Sequence, residues 1–430
     1  MAVRDQVQLL LWRAGLGATP AQVDAATSPG YMQAVENVVT ATSTPASPPL
    51  PPWPTQLPPN ATPEQKIAYS QAINDANNQG ITTITNWWTN LLRTSDAPLQ
   101  EHLALFWHNH FATSNDKVRR PPYMLGQNTL FRSLGAGKFE DLLVAVSKDP
   151  AMLIWLDNQT NVKAHPNENW AREVMELFTL GIGNYTESDV REAARACTGW
   201  TLSYDGVVAF VASRFDSNSK TILGQTGNFT MDDFSHMLAT HPATATHICT
   251  KLFAWFCGDA PTAGNLAPLL NAWNATGGEI RSVLRALFLS DAFLPANATT
   301  AHMKNPISWT FGLLRSLGLT ATDATVANAL SAQGMPLFRP PNVGGWPTGT
   351  AWISPDDQLL RYNLAGQFIA TATIFAGQAT SAFLAQLADQ LGGIVIPADV
   401  QTKLLTLGSG TDGQRAVAQV VLAGPDYQAW

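Results

Sequence analysis

Apolar positions recur along this chain at intervals of three and four residues, and the clearest instance lies between His165 and Trp200. Asn167 stands where a helix begins, because its side-chain oxygen can take an orphan N–H of the first turn. The pattern then runs to Leu180 and stops at Gly181. Trp170, Val174, Leu177 and Phe178 fall at i, i+4, i+7 and i+8, which lays one apolar stripe against a core. At roughly 100° per residue, Asn169, Arg172, Glu173 and Glu176 gather on the opposite face. A second helix starts at Thr186, with Asp189 in the position of a capping-box acid, and its apolar side is Val190, Ala193, Ala194 and Cys197.

The same periodicity predicts helices over about 20–40, 64–94, 97–112, 230–240, 241–257, 262–276, 278–290 and 304–318, with further Ala-, Leu- and Val-rich helices in the last 60 residues. Three stretches break it. Nine of the residues from Pro45 to Pro63 are proline, the signature of an extended crossing segment. After Trp200 the run TLSYDGVVAFVASRF alternates around a DG turn, which predicts a small β-hairpin insertion around 201–225, with Lys220, Gly224 and Gly227 read as a turn. A long Pro/Gly/Trp loop occupies about 336–355. The expected architecture is mainly α: one multi-helix globular bundle spanning 1–430, carrying these two insertions and the crossing segment at 45–63.

Composition narrows the partners. Charged residues make up 13% of the chain, about half the roughly 25% usual for soluble domains, and there are 14 tryptophans. That balance suits an exported protein or one that handles uncharged polymers. A net charge of −7 without a basic stripe excludes nucleic acid as a bulk partner. Cys197, Cys249 and Cys257 form neither a zinc spacing nor a disulfide framework. The opening MAVRDQVQLLLWRAG lacks the apolar region of a signal peptide, and no run suffices for a membrane span. The expected address is therefore the cytoplasm, or the envelope or exterior if a leader is missing.

Candidate chemistry falls in three places. On the helix after Asn167, Arg172 either pairs at i±4 with Glu168 and Glu176 on a solvated face, or stands beside two carboxylates, Glu173 and Glu176, that share a buried site. Two acids about 5–6 Å apart at Cβ separate into acid and base when desolvated. His108 and His110, in LFWHNHFATS, are the metal candidates, although helical geometry points them about 200° apart. In the 336–355 loop, Trp346 and Trp352 either form a rigid cover or a stacking platform for a sugar ring, with Arg339 and Asn342 alongside. Lys251 and Arg285 are single basic residues on their helices and read as solvated.

The run NENWAREVMELFTLGIGNYTESDVREAARACTGW resembles the signature of a large bacterial family catalogued as domain of unknown function 1800. RAGLGATPAQV, LFWHNHFATS, KTILGQTG, HPATATHICTKLFAWF, KNPISWTFGLLRSLGL and PLFRPPNVGGWPTGTAWIS are similar to family segments in the same order. The resemblance implies a mainly helical protein and brings no activity, cofactor or catalytic residue with it. It also implies a partner from a sulfatase-like family. The chain departs from its relatives at Phe215, where a His often precedes the position of Asp216. Three functions follow as expectations: an acid/base hydrolase of a polysaccharide or cell-envelope polymer, a non-catalytic scaffold for an envelope partner, and a His/Glu metal-site protein.

Overall fold

Most helices start where local chemistry tells them to. Thr19, Thr62, Thr186 and Thr230 each accept the backbone N–H three residues on, and the residue at that position answers with its own side chain. Pro20, Pro63, Pro98, Pro121, Pro242, Pro306 and Pro355 sit in first turns, where a missing N–H costs nothing. The computed structural model describes residues 1–258, 260–294, 303–370, 372–408 and 410–429. Within them, buried apolar side chains from Val7 to Tyr427 form a contiguous core cluster. The fold is mainly α, and no described helix is long and apolar enough to cross a membrane.

The Pro98–His110 helix runs through the middle of this core, with only Gln100 and Asn109 of its residues from Leu99 onward left partly accessible. It buries a charge. Glu101 is wholly covered and accepts from Arg132 Nε at 2.7 Å and Nη2 at 2.8 Å, while Trp88 Nε1 donates to it at 3.2 Å. Arg132 Nη2 also donates to Asn128 Oδ1 at 2.9 Å, so both ions are paired and bonded inside the core.

The proline-rich segment crosses the surface without regular structure. Gln100 Oε1 accepts the Ser43 N–H at 2.7 Å, Trp87 Nε1 donates to the Ala46 carbonyl at 2.9 Å, and the Tyr204 hydroxyl donates to the Pro54 carbonyl at 2.6 Å. Arg120 lies 4.2 Å over the Trp53 ring, a cation–π contact that pins the strap midway.

Two local readings change. The helix after Asn167 is α-helical only over Asn169–Glu173 and continues as a π-helix over Val174–Thr179. Asn167 still accepts the Asn169 N–H at 2.9 Å. The wider turn carries Met175 and Thr179 into the core and leaves Leu177 half-buried, a rotation that a 3.6-residue period does not foresee. The β insertion holds two hairpins: β1 (Trp200–Leu202) pairs with β2 (Val208–Phe210), and β3 (Lys220–Ile222) with β4 (Gln225–Gly227). Leu223 and Gly224 make the second turn, both at positive φ as a tight hairpin requires. Lys220 is a buried staple whose Nζ donates to the Asp216 and Asn218 carbonyls and to Asn228 Oδ1.

Candidate functional site

The π-helical turn leaves a problem at its end. The carbonyls of Leu177 and Phe178 lie in the last turn, with no N–H of the same helix ahead of them. Three basic side chains fill the gap. His110 Nε2 donates to the Phe178 carbonyl at 3.0 Å, His247 Nε2 to the Leu177 carbonyl at 2.9 Å, and Lys251 Nζ to the same Leu177 carbonyl at 3.0 Å. Because Nε2 of His110 carries its proton, Nδ1 presents a lone pair, and Lys251 Nζ lies 3.3 Å from it.

Burial keeps this cluster short of charge. It pushes His110 well below its ordinary value, reinforced by Lys251 and then His247, and it lowers His247 as well. Lys251 is lowered to about 8 by desolvation. No carboxylate pairs with Lys251 among the described residues. An ammonium is thus held by two neutral acceptors, which leaves one of its three N–H groups uncommitted.

Lys251 and His110 form part of the wall of a cleft of about 410 Å³. Phe106 and Asn109 come from the Pro98–His110 helix, Ala254 and Trp255 from the Pro242–Cys257 helix, and Trp346 through Gly349 with Trp352 from the long loop. Gly345 lets that loop come close. At φ +86°, a Cβ on it would fall 2.3 Å from Asn109 Oδ1 and 2.5 Å from the Asn109 carbonyl oxygen. Asn109 Oδ1 instead accepts the Trp346 N–H at 2.7 Å. Gly345→Ala is expected to cost about 1–3 kcal/mol, read as a lower thermal midpoint, since backbone on the helix side cannot move aside.

The structure separates residues that the sequence groups together. Trp346 and Trp352 line the cleft, but at 3% and 6% exposure they are walls rather than an open platform. Arg339 and Asn342 are not among the lining residues. Arg339 turns toward Asp116 at 3.6 Å, and Asn342 Oδ1 accepts the Gly344 N–H at 2.8 Å. Glu173 and Glu176 are also absent from the lining. Partial burial, then Glu176, raises the Glu173 carboxyl above its usual range, and Glu176 accepts from the Tyr185 hydroxyl at 2.9 Å. Arg172 pairs with Glu168 at 3.1 Å and, across to the next helix, with Glu187 at 2.7 Å, and does not pair with Glu176.

The two histidines of the pair point into different surroundings. His108 is boxed by Trp88, Phe131, Phe338 and Trp346, its Nε2 without a bonded partner and its pKa lowered to about 3 by burial. His110 stacks on Phe106 instead. Among the described residues no three His, Cys, Asp or Glu side chains come together as a metal would need.

Lys251 is the residue that sequence reasoning misplaced. Arg285, read the same way, is indeed a surface partner of Glu36. Lys251 differs because His247, Lys251 and Trp255 recur at i, i+4 and i+8, a line on one helix face that a solvated lysine has no reason to join. The model of a family described as protein of unknown function (DUF1800) matches residues 9–429. No curated protein and no solved structure matches the chain.

Proposed function

We propose, for a chain that belongs to the DUF1800 family, that it is an acid/base enzyme, a hydrolase acting on the end of a polysaccharide or cell-envelope polymer, with Lys251 as its working group. The observation that carries this reading is the Lys251 ammonium at the cleft wall, oriented by His110 Nδ1 and the Leu177 carbonyl and lacking a carboxylate among the described residues. An amine lowered to about 8 exchanges its proton near neutral pH, where general acid/base catalysis works best. A volume of about 410 Å³ admits a small molecule or a terminal unit rather than a chain passing through. Phe106, Trp255, Trp346 and Trp352 supply apolar walls suited to sugar rings.

The test is release of reducing ends or small fragments from a panel of envelope polymers. Lys251→Met is expected to lose on the order of 100-fold or more in rate, while Glu173→Gln and Glu176→Gln, outside the cleft, stay near wild type. Equal turnover by Lys251→Met removes the assignment. If no polymer is turned over, co-purification with a sulfatase-like envelope partner decides for the scaffold expectation.

A further inference from the structure

The polar atoms of the cleft are unbalanced. Three of its side-chain acceptors are already engaged: His110 Nδ1 faces Lys251, Asn109 Oδ1 takes the Trp346 N–H, and Asn305 Oδ1 takes the Ser308 N–H. Its donors are not. Lys251 has one N–H beyond its two partners, and Asn109 Nδ2 has no bonded partner among the described residues. The indole N–H of Trp346, a wall residue, is buried without an acceptor.

A desolvated cation with spare donors beside it is stabilised by an anionic oxygen that enters the same space. We infer that the cleft takes a ligand bearing an anionic oxygen group, a carboxylate or a phosphate or sulfate ester, placed against Lys251 and the Asn109 amide with its apolar body against Phe106, Trp255 and Trp346. This rests on Lys251 being the working group of the cleft and adds the charge class of what it binds. Among the described residues, the titratable groups that face Lys251 do not supply that charge: His110 and His247 are held neutral by burial.

The probes are benzoate, phenyl phosphate and phenyl sulfate, with benzamide and benzyl alcohol as neutral counterparts, titrated calorimetrically into the full chain at pH 7. At least one anion is expected to bind about tenfold or more tightly than the neutral molecules, a difference of about 1.4 kcal/mol, and that preference disappears in Lys251→Met. The ranking of carboxylate against the two esters identifies the source of the oxyanion. In the wild type, the preference also fades as pH rises above about 8 while benzyl alcohol binding holds steady. Equal affinity for benzoate and benzamide, an anion preference that survives Lys251→Met, or no anion binding at millimolar concentration overturns the inference. Failure of the enzyme reading shows separately, as polymer turnover that does not depend on Lys251.

Discussion

Lys251→Met makes the folded protein more stable at pH 7, by about 1–3 kcal/mol, at the expense of the cleft's amine. The sign follows from the lowered pKa. Below about pH 8 the lysine is charged in both the folded and unfolded chain, and the folded chain bears the full cost of desolvating it. Between about 8 and the ordinary 10.5, the folded chain gives up its proton first, and wild-type stability rises with pH. A shift of that size corresponds to about 3 kcal/mol at most, reduced here because part of the side chain reaches the cleft. Urea denaturation at pH 7 and at pH 10 reads the result: the advantage of methionine is present at the lower pH and largely gone at the higher. A mutant less stable than wild type at pH 7 would mean that the ammonium is already compensated. Stability gained by removing the proposed working group is the trade expected of a functional site.

Glu101→Gln acts in the opposite direction and more strongly. Its carboxylate is wholly buried against Arg132, and removing the charge leaves a guanidinium in the core that meets only neutral groups among the described residues: the new amide oxygen, Asn128 and the neighbouring Trp87 ring. The expected loss is about 3–5 kcal/mol, seen as a lower denaturation midpoint at unchanged slope. Replacing both partners, Glu101→Leu with Arg132→Met, recovers most of it, because an apolar pair of similar volume needs no compensation. A single-mutant loss below about 1 kcal/mol would place the pair in contact with water.

Much of the helical plan was legible because it is local. Thr186 with Asp189 and Pro242 after His241 each reveal a helix start within four residues, and the proline run announces an extended strap. The DG turn announces β1 and β2. The second hairpin was hidden because Leu223 occupies a turn position where glycine or asparagine is the readable signal. The π-helix was hidden for a related reason: its apolar residues fit an α period until the wider turn rotates Leu177 outward and Thr179 in.

By itself, then, the sequence determined the mainly helical class, the starts of most helices, the strap, and the opposed directions of His108 and His110, all of which depend on spacings of a few residues. Only the tertiary structure decided which polar groups meet. The Phe178 carbonyl finds His110 across 68 positions, the Leu177 carbonyl finds Lys251 across 74, and Asn109 finds the Trp346 N–H across 237. Each bond satisfies a backbone group left without a helical or sheet partner, a demand that arises only once the core closes around it. The same closure separated Glu173 and Glu176 from the tryptophan loop and turned a lysine that reads as solvated into a partly buried group at a cleft wall.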